Sequence, residues 1–109
     1  MRTKKLRKVM RKLREHAPTD LPVRVVRRAM SKRKEQHLGY CLRGARAYRI
    51  VLNSNLSHEL QLEMLLHEYA HAVAWKQQDA AGTLEQHDTI WSAAYGRTFR
   101  AFYGRTPYC

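Results

Sequence analysis

Two histidines four residues apart with a glutamate beside the first, His67-Glu68-Tyr69-Ala70-His71, are the residues of this sequence best suited to chemistry. On a helix, positions i and i+4 project from one face a turn apart, so His67 and His71 can present two imidazoles to one metal ion. Imidazole nitrogens hold Zn²⁺ at about 2.0–2.1 Å, a third protein ligand completes the anchor, and a fourth position is left for a water whose pKa the metal lowers. Glu68, one residue round from His67, is then placed to take the proton of that water and pass it to a leaving amine. The spacing predicts zinc-dependent amide hydrolysis; the bland alternative is a helix with two partly buried, hydrogen-bonded histidines.

The third ligand has to come from further along the chain. An extended zincin motif needs Gly at position 74 and His at position 77, where this chain has Ala74 and Gln77. Glu85, Asp79 and Asp88 offer carboxylates, but His87 is the better choice, because imidazole suits zinc and the preceding loop lets the chain fold back over the metal. His58 stands nine residues before His67, about 13 Å along a helix, too far to share the ion. His16 and His37 are expected at the surface. Tyr95 and Arg97 follow the third ligand closely enough to stabilise an oxyanion, although helix packing or solvation explains each equally well.

These residues need elements to hold them. Asn53-Ser54-Asn55-Leu56-Ser57 is a cluster of turn and capping residues, after which Leu62, Leu65, Leu66, Tyr69 and Val73 repeat with helical period, predicting a helix over 57–77. Asp88 is placed to cap a last helix over 88–103, after a looser stretch from Gln78 to Gln86. Upstream, Leu6, Val9, Met10 and Leu13 mark one face of a basic amphipathic helix over 1–17, its apolar stripe expected to dock on the core. Residues 20–53 read as a sheet: a Val-rich strand from Leu21 to Ala29, a charged loop from Ser31 to Gln36, and two β-prone runs, Leu38 to Leu42 and Ala47 to Leu52, joined as a hairpin. The strand over 47–52 is also a candidate to offer its edge to an extended substrate.

With 109 residues, 44% of them hydrophobic, the chain fits one globular domain, 1–109, with a single modest core. No apolar run approaches the roughly 18 residues that span a bilayer, and the basic start lacks the apolar region of a secretory signal. Cys41 and Cys109 form neither a CxxC pair nor a disulfide framework. The expected setting is a cytoplasm, nucleoid-associated or that of a phage's host, with no membrane partner. Residues 1–34 hold 14 of the 21 Lys and Arg, so the whole net charge of +12 sits in the N-terminal third. Segregation of that kind suggests a polyanion, with nucleic acid preferred, and the candidate contacts are Lys4, Lys5, Arg7, Lys8, Arg11, Lys12, Arg14, Arg27 and Arg28. Trp75, Trp91 and Tyr95 could stack on bases, but core packing is the better expectation.

Leu38 to Cys41, Arg49 to Asn53, Leu65 to Ala72 and His87 to Trp91 together resemble the SprT-like metalloprotease domain, the family that includes Spartan, over roughly residues 20–103. The resemblance implies an α+β, zincin-like fold: a small, mainly antiparallel three-stranded sheet with an N-terminal helix, an HExxH active-site helix and a C-terminal helix. It implies Zn²⁺ held by His67, His71 and His87, with Glu68 as general base. The family places its third histidine before Gly and an aromatic four residues on; Trp91 matches, whereas Asp88 stands in place of the glycine. Members commonly continue into a zinc ribbon, for which this chain lacks the cysteines. The implied function is a minimal endopeptidase for DNA-bound or DNA-crosslinked proteins, with protein as substrate and single-stranded or damaged DNA as partner. The basic helix would then replace the missing DNA-binding module. The rival reading is a nucleic-acid-binding protein with a structural, non-catalytic zinc; a general base beside the metal argues against it.

Overall fold

A computed structural model of the chain describes residues 2–30 and 38–104, so the charged loop from Ser31 to Gln36, His37 and Cys109 lie outside the described residues. The first helix, α1 (Thr3–His16), buries the stripe Val9, Met10 and Leu13 and leaves Lys4, Lys5, Arg7, Lys8, Arg11, Lys12 and Arg14 exposed. Burial of such side chains stabilises by about 1.5–3 kcal/mol each, which fixes the orientation of the helix and with it the outward cations. Tyr69 donates a buried hydrogen bond of 2.8 Å to the Ala17 carbonyl and ties the end of α1 to the helix that carries the two histidines.

Three strands follow: β1 (Val23–Arg28), β2 (Gly39–Arg43) and β3 (Tyr48–Asn53). β2 and β3 form the antiparallel hairpin, but β1 pairs with β3 in parallel and the order is β1-β3-β2. The sheet is therefore mixed, which corrects the mainly antiparallel sheet expected from the sequence. The physical reason lies in the strands themselves. β3 is apolar from Ile50 to Leu52 and wholly buried there, as a central strand must be. β1 carries Arg24, Arg27 and Arg28, and charges of this sort suit an edge. A central β3 has both edges paired, so it has no edge to offer a substrate, and the strand-addition expectation for residues 47–52 is corrected with it.

Helix α2 (His58–Ala81) starts on Ser57, whose hydroxyl accepts from the Leu60 amide at 3.2 Å, and ends on Gly82 in the left-handed conformation at φ 73°. It passes Gln77, the end expected from periodicity, by another turn. Helix α3 (Thr89–Tyr103) is capped by Asp88, which accepts from the Trp91 amide at 2.9 Å. The core lies between α1, the inner face of the sheet and α2, around Leu13, Ile50, Leu52, Leu65, Leu66 and Tyr69. The described residues thus form an α+β fold of three helices and a small mixed sheet. No helix among them is long and apolar enough to cross a membrane.

Candidate metal centre

α2 sets His67 and His71 one turn apart near its middle, and the loop after it returns His87 to them. The donor atoms of the three imidazoles lie within 4.8 Å of one another. His71 Nε2 and His87 Nε2 face each other at 3.3 Å. Two nitrogens bound to one tetrahedral zinc at about 2.0–2.1 Å are about 3.3–3.4 Å apart, so this pair already has the separation of two ligands. The donor set fits a metal chemically as well. Burial, reinforced by the charge His67 and His87 would carry, pushes His71 down to about 4, and burial followed by His87 lowers His67. Both rings are neutral near pH 7, with a lone pair free for a cation.

The loop that brings back His87 is held by a residue the sequence reading passed over. Gln78, on α2 and only 1% exposed, donates from Nε2 to the Gln86 carbonyl at 2.7 Å and to Asp88 Oδ1 at 2.9 Å. Those are the two neighbours of His87. Asp88, where the family pattern has glycine, therefore both caps α3 and receives the clamp. Trp91 forms the wall of the site: its ring stacks on His87 at 4.3 Å between centroids and lies 4.9 Å from His67 and 5.5 Å from His71. His71 Nδ1 is buried without a hydrogen-bond partner among the described residues, so packing rather than a carboxylate orients that ring.

Glu68 is 8% exposed, and burial, with repulsion from Glu85 second, raises its carboxyl to about 7. Glu85 has a left-handed backbone at φ 65°, a conformation that costs a residue with a Cβ about 1–2 kcal/mol, at the loop that carries His87. Cys41 on β2 feels the same two carboxylates and is pushed by burial and by them to about 12, which leaves it an inert thiol.

The other expected residues fall elsewhere. Asp79, Glu85 and Asp88 are outside the histidine cluster, His58 opens α2, and His16 lines a groove with Arg97 and Arg100. Trp75 packs on Tyr48 and Tyr95 stacks on Trp91, so both rings have protein neighbours. Arg27 donates to Thr3 Oγ1 at 3.1 Å and Arg28 to the Tyr40 hydroxyl at 3.0 Å.

No curated protein and no solved structure matches the chain significantly. A family model does: that of the SprT-like family, over residues 6–106. Since that match runs from within α1 to beyond the end of α3, this chain belongs to the SprT-like family.

Proposed function

We propose that the chain is a zinc-dependent endopeptidase acting on proteins bound or crosslinked to DNA. The observation that carries the reading is the meeting of three imidazoles, His67 and His71 on α2 and His87 from the loop after it, beside the Glu68 that the same helix buries. Zinc bound by these three would leave one position open and would supply Lewis acidity to a carbonyl oxygen and to water. Everything else is the work of the chain. His71 and His87 hold their Nε2 atoms at ligand separation, Gln78 and Asp88 fix the backbone on both sides of His87, and Trp91 keeps water off one face of the cluster. Glu68 accepts the proton of the attacking water on its carboxylate and delivers it to the departing nitrogen. Beside a dication its carboxyl is driven from about 7 toward the ionised form a base requires.

DNA enters this reading through the exposed cations of α1, whose contacts to phosphate would be independent of sequence and sensitive to salt. The test is cleavage of a basic DNA-binding protein by the zinc-loaded chain, with and without single-stranded DNA. Cleavage that depends on DNA and stops with chelator is the expected result. Stoichiometric zinc with no cleavage under either condition would replace the reading with that of a nucleic-acid-binding protein stabilised by its metal.

A further inference from the structure

The sheet has two faces: helices pack on one, and on the other Val51 is fully buried while the end around Arg49 is exposed. Tyr48, Ile50 and Leu52 of β3 are buried with the core, so the alternate residues of the strands point the other way. Pairing places Arg24 of β1 beside Arg49 of β3, and Arg49 beside Leu42 of β2, all on this second face. The three are exposed, Leu42 by 51%. Arg46, in the hairpin turn, joins them around a groove of about 770 Å³ that also takes in Val26 and Ala47. Arg43 lines it too, but its guanidinium is held by Asp20 at 2.8 Å. Among the described residues, Arg24, Arg46 and Arg49 are paired with no carboxylate.

α1 lies on the covered side of the sheet: Arg14 donates to the Val23 carbonyl at 3.2 Å, and Arg27, on the same strand face as the core residues Val23 and Val25, donates to Thr3 at 3.1 Å. The cations of the open sheet face are therefore a group apart from those of α1, and the sequence puts Arg46 and Arg49 in a segment of zero net charge.

We propose that this open face, across β1, β3 and the hairpin turn, seats single-stranded nucleic acid, with Arg24, Arg46 and Arg49 as phosphate ligands. The inference rests on the nucleic-acid part of the function proposed above and gives it a location. Guanidinium forks match phosphate oxygens in pairs, and three unneutralised ones around one groove fit a polyanion. The apolar surface between them, Val26, Leu42 and Ala47, suits the faces of unstacked bases, which a duplex keeps inside its stack. α2, which carries His67 and His71, packs on the opposite side of the sheet, so a strand held here leaves the cluster of His67, His71 and His87 free for protein.

The experiment is fluorescence anisotropy of a labelled oligothymidine titrated with the zinc-loaded chain over a range of salt. Two variants are compared with it: R24A/R46A/R49A, and K4A/K8A/R11A on α1. Circular dichroism checks that each is folded. The sheet variant is expected to bind at least about tenfold more weakly, and its salt slope to fall by about 2, since each single-strand phosphate contact contributes about 0.7. Unchanged affinity and slope in the folded sheet variant, with loss confined to the α1 variant, would overturn the proposal. An equal loss for duplex would overturn the single-strand assignment, and binding of phosphatidylserine vesicles but not of oligothymidine would overturn the nucleic-acid one. Cleavage of an unfolded protein by the unaltered chain, with single-stranded DNA present, is followed in parallel, so a failure of the peptidase reading is recognised separately.

Discussion

Gln78 reaches the candidate metal centre through the residues that flank His87. Removing its carboxamide frees the Gln86 carbonyl and Asp88 at once, and outer-shell losses of this kind cost about 10–100-fold in metal affinity. Gln78→Met, which keeps the volume, should weaken zinc binding by that amount in competition with a chelator while the metal-free fold loses about 1–3 kcal/mol or less. A second expectation concerns Glu68. In the metal-free protein its carboxyl lies at about 7 against an ordinary 4.5, raised by burial and then by Glu85, so the folded state holds the extra proton between these values. Its contribution to stability is present below 4.5 and is lost as pH rises through 7. His71, lowered from 6.5 to about 4, works the other way and loses stability as pH falls through that window. Glu85→Gln should bring the Glu68 titration, followed by carboxyl NMR shifts, below 7; an unmoved titration would mean that burial alone sets it. The sequence already pointed to His67, His71 and His87 through spacing and ligand chemistry. It did not point to Gln78, because its position two turns beyond His71 matters only if α2 continues to Ala81, past the end of the apolar pattern.

At the scale of elements, Asp88 was legible and the sheet was not. A short polar side chain just ahead of Ile90, Trp91 and Ala94 is a local signal for an N-cap, and Asp88 accepts from the Trp91 amide. Asp88→Ala should cost about 0.5–2 kcal/mol in denaturant unfolding, and zinc affinity should fall with it because the Gln78 clamp is lost. A variant that lost stability but kept its affinity would show that α3 is capped independently of the site. Strand order has no such local signal. The β2–β3 hairpin follows from its short turn, whereas the parallel pairing of β1 with β3 depends on a connection through residues 29–38 and on which strand is apolar enough for the middle. The apolar run Ile50-Val51-Leu52 contains that information, but only once three strands are known to share one sheet.

Across the whole molecule, linear charge counts placed all of the +12 in the first 34 residues, and folding redistributes it. β1 carries Arg24 to the side of Arg49, so a chain segment with balanced charge contributes to the basic surface. The chain also has an apolar core of its own, around Leu13, Ile50 and Leu65, apart from the candidate metal ligands. Chelation should therefore lower the melting temperature without unfolding the chain. The loss should be about 4 kcal/mol where zinc had been at 1,000 times its dissociation constant, and calorimetry with and without chelator measures it. The measurement that bears most directly on the central claim compares zinc-loaded wild type with Glu68→Gln on an unfolded protein substrate in the presence of single-stranded DNA, zinc content being determined for both. Equal zinc with cleavage in the wild type alone is the expected result. Cleavage undiminished in Glu68→Gln would contradict the assignment of Glu68 as the base and the mechanism built on it.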